Sequence, residues 1–435
     1  MLDEVRGRLT TVVVDGGDLF WKRSTLADED RAQALVKADL QVDALNEMGL
    51  DAFVPGEGDF ALGTVEATSR LARLPTLAAG LTCGQAFDAV RVVERDGLRV
   101  AVAGVTDAAP EGCTAAEDPV AVVAAALEGV QADVVVGVAH GTLSLGQALV
   151  ALPSVDFVVQ GHGGQKWSSA KQHEGGWLLA AGSRGKTLGV AHLGLRGGAT
   201  WTDEGRGADL AERLERYEAR LDSAKAQLAS ATDDKAAVRV ERQMTFYERK
   251  VAELREEQAA AGAVGRGSGN TFRVELHDLS KDVADHTAIA ALVEATRPRI
   301  AAAEPEPEAG YDGPYVGSSA CLVCHVSQHA QWSGTGHPRA WSVLDADGHA
   351  EDRACFACHV TGAHDAAGPQ SPKAVPPQLR GVGCEACHGA GGDHVRAPTA
   401  ATMAQPSLDT CTTCHDGERD EGRFEPEAYL ERVRH

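Results

Sequence analysis

The sequence predicts an α/β fold, then an antiparallel helical hairpin, then a C-terminal region that is mostly α-helical or irregular. Three observations predict it. Through residues 1–203, short apolar runs alternate with helical stretches. Over residues 208–259, apolar side chains recur at alternating four- and three-residue spacing. From residue 311 onward periodic apolar pattern is scarce, and one five-residue pattern, Cys-x-x-Cys-His, occurs four times.

The elements follow in order. Residues 11–14 are a β-branched run that ends at Asp15-Gly-Gly-Asp18. A helix is expected around 31–48. Short strands are expected at 52–54, 90–93, 100–105, 134–138 and 157–159, each flanked by Gly, Asp or a helical stretch. Residues 178–189 and 190–195 read as closing strands. In the hairpin, Leu210, Leu214, Tyr217, Leu221, Ala224 and Leu228 form one stripe. Val240, Met244, Tyr247, Val251 and Leu254 form the other, and polar residues 230–234 separate the arms. Each arm should measure about 30 Å. Residues 261–270 are a Gly-rich linker. A strand at 271–279 and a short helix near 288–296 follow, with Pro298 marking the helix end. Residues 301–310 are a Pro/Glu linker. The expected domains are 1–203, the hairpin 204–260, a linker region 261–310 and a final domain 311–435.

Composition narrows the function. A net charge of −22 over 435 residues argues against nucleic acid and anionic membrane surfaces. It suits docking to redox partner proteins with basic surfaces. No apolar run approaches transmembrane length, so the chain is not expected to span a membrane. Eight of the ten cysteines belong to the four repeats. For Cys83 and Cys113, two buried small residues and a disulfide between them stay open as readings.

The four repeats carry the chemistry. They are Cys321-x-x-Cys324-His325, Cys355-x-x-Cys358-His359, Cys384-x-x-Cys387-His388 and Cys411-x-x-Cys414-His415. This pattern attaches c-type haem: two thiols bond the porphyrin and the histidine ligates iron. Four covalently bound haems c are therefore expected. They would also supply the apolar volume that this aliphatic-poor region lacks. Six further histidines are available as sixth ligands: His329, His337, His349, His364, His394 and His435. Met403 is the one methionine of the region, so the supply favours bis-His, low-potential haems. His329 lies one helical turn after His325 and reads as a surface residue.

Haem attachment of this kind happens on exported polypeptide, and a periplasmic or otherwise exported location is expected. The opening residues hold no signal-peptide core. The start is read as internal, with export by another route as the alternative.

Residues 315–341, the segment Gly383-Cys-Glu-Ala-Cys-His-Gly-Ala-Gly-Gly-Asp-His394 and the closing repeat resemble the cytochrome c-554/c-prime multihaem family. The resemblance covers roughly residues 312–435. It implies closely packed haems and bis-His ligation, with His337 and His394 as distal ligands.

The N-terminal part resembles the metallophosphatase domain of periplasmic 5′-nucleotidases. The match rests on Asp15-Gly-Gly-Asp18, Gly56-Glu57-Gly58-Asp59, the run ending His140-Gly, and Gly161-His162-Gly-Gly164. The resemblance implies a two-sheet α/β/β/α sandwich with a two-metal site at the strand ends. The departures are substantial. The family's opening Asp-x-His motif is absent, which again suggests a missing N-terminal part. Glu57 stands for a metal-binding Asn, Gly58 for the histidine that assists the leaving group, and Gly164 for a ligand. Asp18, Glu57, His140 and His162 remain as candidate ligands for one divalent metal, Zn, Mn or Fe. The sequence thus favours an exported tetrahaem electron carrier joined to a degenerate, inactive phosphatase-like domain. Second stands a multihaem oxidoreductase with one open haem acting on a small nitrogen or sulfur compound. A metal-dependent phosphoesterase ranks last.

Overall fold

A computed structural model describes residues 1–21, 26–198, 200–229, 234–263, 269–280, 282–399, 403–416 and 424–435. The expected hairpin turn at 230–234 and the linker at 261–270 lie largely outside these residues. The chain forms two compact units. One comprises Met1–Thr25 and Leu45–Asp285, the other Leu26–Ala44 and His286–His435. Residues 26–44, which include most of the helix Arg31–Glu47, thus cluster with the haem-motif region.

In the first unit β1 (Val14–Asp15) pairs in parallel with β2 (Ala52–Phe53). A small ribbon joins β3 (Thr82–Cys83) to β4 (Gln85–Ala86). The main sheet takes β5 (Val90–Arg95), β6 (Leu98–Thr106), β7 (Val134–His140), β8 (Phe157–Gly161), β9 (Lys171–His173) and β10 (Gly176–Leu179). Its order is β5-β6-β7-β8-β10-β9, parallel in the middle with an antiparallel strand at each edge. Parallel strands need crossovers, and the helices Pro119–Leu127 and Leu143–Val150 supply two of them. A further sheet orders β11 (Thr187–Gly194), β13 (Asn270–Asp278) and β12 (Trp201–Asp203).

Side-chain alternation builds the layers. Ala101, Ala103 and Val105 of β6, Ala139 of β7 and Val158 of β8 share a core with Val123, Leu127 and Leu149 of the two helices. The opposite face sends Val102 and Val138 against Ala52 and Val54. It also sends Val134, Phe157 and Trp177 against Phe272 of β13. Helices therefore cover one face and sheet the other, as a phosphatase-like sandwich requires.

The expected strands at 90–93, 100–105, 134–138 and 157–159 all form. Three expectations need correction. The closing strand expected at 178–189 breaks, because β10 stops at Leu179 and β11 starts at Thr187. Gly182, Arg184 and Gly185 between them have positive φ, which an extended strand excludes. Pro298 does not end its helix, which runs Thr287–Ala303 with Thr296 and Ile300 buried on one face. Burial of that face outweighs the lost hydrogen bond. The hairpin arms are also longer than expected: Arg206–Ala229 has 24 residues and Asp234–Ala263 has 30. Leu210, Leu221, Ala224, Val240, Val251 and Leu254 of the two stripes are buried as the spacing foretold.

Cys83 and Cys113 form a disulfide. In the second unit, short helices surround a small core of Tyr315, Phe356, Val360, Val375 and Leu379. Among the described residues no helix is long and apolar enough to cross a membrane.

Candidate functional sites

The first site forms where parallel strands end. Asp18 follows β1, Glu57 follows β2, His140 ends β7 and His162 follows β8. Carboxyl ends of parallel strands are where α/β sheets place ligands. All four sequence-predicted residues converge, with one ligand atom from each lying within 4.8 Å of the others. His140 Nε2 is 3.3 Å from Asp18 Oδ2 and 3.2 Å from Glu57 Oε2. His162 Nδ1 is 3.5 Å from Asp18 Oδ2 and 3.2 Å from Glu57 Oε1. Four ligands about 2.1 Å from one tetrahedral ion would lie about 3.4 Å apart. The donor set and its spacing therefore fit one divalent cation.

Supporting contacts hold this geometry. The fully buried His140 sets its Nδ1 against the Gly16 carbonyl, which turns Nε2 toward the cluster. Gly58 N–H donates to Asp18 Oδ1 at 2.7 Å. Asp59 accepts N–H bonds from Asp18, Leu19, Phe20 and Gly56 at 2.8–3.0 Å, tying the β1 loop to the β2 loop. Burial pushes its pKa up to about 6 against those four bonds. Burial also works against a charged His140. The Asp18 hydrogen bond, the Gly16 carbonyl and the Asp18 and Glu57 charges outweigh it and lift the ring to about 9. Asp18 would be raised by burial, but His140, Gly58 and His162 together hold it below the usual carboxylate range. Without a cation, a proton on His140 offsets one of the two carboxylate charges.

Backbone strain marks the same place. Asp18 and His162 are non-glycine residues at φ 56° and 64°. A Cβ at Gly56 would lie 2.3 Å from His140 Nε2, and one at Gly58 would lie 2.7 Å from Asp18 Oδ1. A side chain at 58 is thus incompatible with the present Asp18 position.

The second site gathers the four haem motifs. The fit of haem can be tested on the histidine rings. Two imidazoles bonded to one metal at about 2 Å each place their ring centres about 6 Å apart. His325 and His394 have centroids 6.2 Å apart, and His337 and His415 also 6.2 Å. His388 and His435 lie 5.7 Å apart. His359 sets Nδ1 2.7 Å from the Ala340 carbonyl, and among the described residues it faces no histidine ring. His388 Nδ1 lies 3.1 Å from the Ala404 carbonyl. Such bonds leave Nε2 for a metal. At three of the motifs the facing histidine rings thus have a spacing that fits haem.

The attachment sulfurs are neighbours. The Cys321 and Cys384 thiols are close enough to shift each other's pKa, Cys321 upward and Cys384 downward. Cys387 and Cys411 are close enough to interact electrostatically. Cys358 and Cys414 meet around His364. His329 packs edge-on against Trp332, its ring centroid 5.0 Å away.

Residues 320–389 match the family model described as cytochrome c554 and c-prime. Cytochrome c-554 of Nitrosomonas europaea is 34% identical over 110 residues, covering 20% of this chain and 46% of that protein. The C-terminal region is of the cytochrome c554 type. Two solved structures are similar to the chain at lower identity. Thermus thermophilus sulfate thiohydrolase SoxB is 20% identical with a TM-score of 0.38, covering 44% of this chain and 38% of that one. A 5′-nucleotidase precursor, also from Thermus thermophilus, is 18% identical with a TM-score of 0.37, covering 45% and 44%. The chain spans less than half the length of each of these three proteins.

In the cytochrome c554-type region, His337 and His394 each face a motif histidine. His435 is one of the six spare histidines, and the resemblance does not single it out as a distal ligand. Its signal is tertiary. The helix Pro426–Val433 sets Tyr429 against His415, and Gln331 Nε2 donates to the Arg434 carbonyl at 2.6 Å.

Proposed function

We propose that the protein is an exported tetrahaem c-type cytochrome that carries electrons, joined to a phosphatase-like domain that holds one divalent cation and does not hydrolyse phosphate esters. Cys321, Cys324, Cys355, Cys358, Cys384, Cys387, Cys411 and Cys414 would attach four haems, which supply one-electron chemistry when bound. The observation that carries this reading is the set of three histidine pairs, His325–His394, His415–His337 and His388–His435. Each brings a motif histidine opposite a second ring at the spacing of a bis-His site. Neighbouring sulfurs support the order first, third, fourth, second for the attachment points. An acidic chain suits basic redox partners.

In the phosphatase-like domain, Asp18, Glu57, His140 and His162 would hold Zn, Mn or Fe. Gly58 and Gly164 offer no side chain for a leaving group or a second ion.

His359 favours a second reading. It would hold its iron from one side only, so this motif would be the place for chemistry on a small nitrogen or sulfur compound. Cyanide or carbon monoxide binding by one haem in four supports that reading, and no binding removes it. The main proposal is tested by intact-mass measurement of chain exported in a host that attaches haem c. Four covalent haem increments are expected. Fewer would overturn it.

A further inference from the structure

Glu385 sits inside the third motif, between Cys384 and Cys387, and is 1% exposed. Its oxygens accept only backbone N–H groups. Val316 donates at 3.0 and 3.1 Å, Gly317 at 2.7 Å and Gly391 at 2.7 Å. Acceptance without donation is what an ionised carboxylate satisfies. Among the described residues, no lysine, arginine or histidine is ion-paired with it. A buried negative charge left without a counter-cation acts strongly on its surroundings, because little solvent screens it.

Its surroundings are two haem motifs. Residues 316–317 lead into the helix Ser318–Leu322, which carries Cys321. Glu385 lies on the helix Cys384–His388. Gly391 caps the helix Gly392–Arg396, which carries His394, the ring opposite His325. Cys321 lies close enough to feel this charge. Its thiol is pushed up first by the Cys384 hydrogen bond, then by burial, and then by the charges of Cys384 and Glu385.

We infer that Glu385 is a fixed buried charge that lowers the reduction potentials of the haems held at the first and third motifs. Reduction adds one electron to each iron, and a neighbouring carboxylate disfavours that added charge. The inference rests on the haem reading above.

The test is spectropotentiometric titration of mature wild type, Glu385→Gln and Glu385→Asp, each with its covalent haem count. The Gln variant keeps the shape and removes the charge; the Asp variant keeps the charge. In E385Q, two of the four components should shift upward. The reduced-to-oxidised ratio at fixed poise should rise at least tenfold, about 59 mV for one electron. The other two components should not move, and E385D should titrate close to wild type. Four haems with unshifted potentials in E385Q would overturn the inference, as would equal shifts in E385Q and E385D. Should E385Q mature with fewer haems, redox-induced infrared difference spectra of wild type and E385D decide. A carboxylate band that responds to reduction and moves in E385D supports the inference; identical spectra sink it. A wild-type chain without covalent haem would instead defeat the haem reading itself.

Discussion

Replacing His435 by alanine tests the least expected ligand. The three facing pairs predict three low-spin irons, with His359 leaving the fourth high-spin. His435→Ala removes the ring 5.7 Å from His388. Low-spin signal should fall by one third, and high-spin signal should double. Quantitative electron paramagnetic resonance of the oxidised protein measures both, and added imidazole should restore the lost third. The segment is held by Gln331, whose Nε2 donates to the Arg434 carbonyl at 2.6 Å and the Arg432 carbonyl at 3.3 Å. Losing each such bond costs about 1 kcal/mol, so Gln331→Ala, which removes both, should raise the unligated population of that haem about thirtyfold. An unchanged spin ratio in His435→Ala would refute the pairing, and with it the use of ring spacing to assign ligands.

Three further outcomes are expected. Zinc or manganese at a hundredfold excess over Kd should stabilise the first unit by about 2.7 kcal/mol, with no effect in Asp18→Asn or His140→Ala, read by calorimetry. Reducing the Cys83–Cys113 disulfide, whose cysteines are 30 residues apart, should cost the first unit about 3–4 kcal/mol in urea unfolding. A loss below about 1 kcal/mol would place that loop's order elsewhere. Arg353→Met should cost the second unit about 3–5 kcal/mol, because it strands the buried Glu304 carboxylate. Arg353 meets that carboxylate through Nε at 2.7 Å and Nη2 at 3.0 Å. A second substitution, Glu304→Leu, should recover part of the loss, and a strictly additive double variant would disprove the coupling.

The four candidate ligands are legible because each sits in a short motif at a strand end, where chain reversal leaves a side chain exposed to a common edge. Asp59 was quoted in the same motif, yet its work on four backbone N–H groups has no sequence signature. Pro298 misled because local propensity cannot see that Thr296 and Ile300 are buried. The strand break after Leu179 was missed because Gly182 and Gly185 lie in a stretch that otherwise reads as continuous. Helix Arg31–Glu47 was read as a helix, but its residues to Ala44 cluster with the second unit. Gln33 donates to the Glu351 carbonyl at 2.7 Å, a contact 318 residues away in sequence.

By itself the sequence determined the chemistry available to this protein: eight thiols and four histidines in attachment spacing, and two carboxylates and two histidines at strand ends. Those facts are local, because a covalent motif needs only neighbouring residues. Only the tertiary structure decided which histidine opposes which, and that the buried Glu385 of the third motif meets the segment leading into the first, with no cation paired to it among the described residues. Axial pairing and desolvation depend on segments far apart in the chain meeting in space. Spacing along the sequence does not encode that meeting.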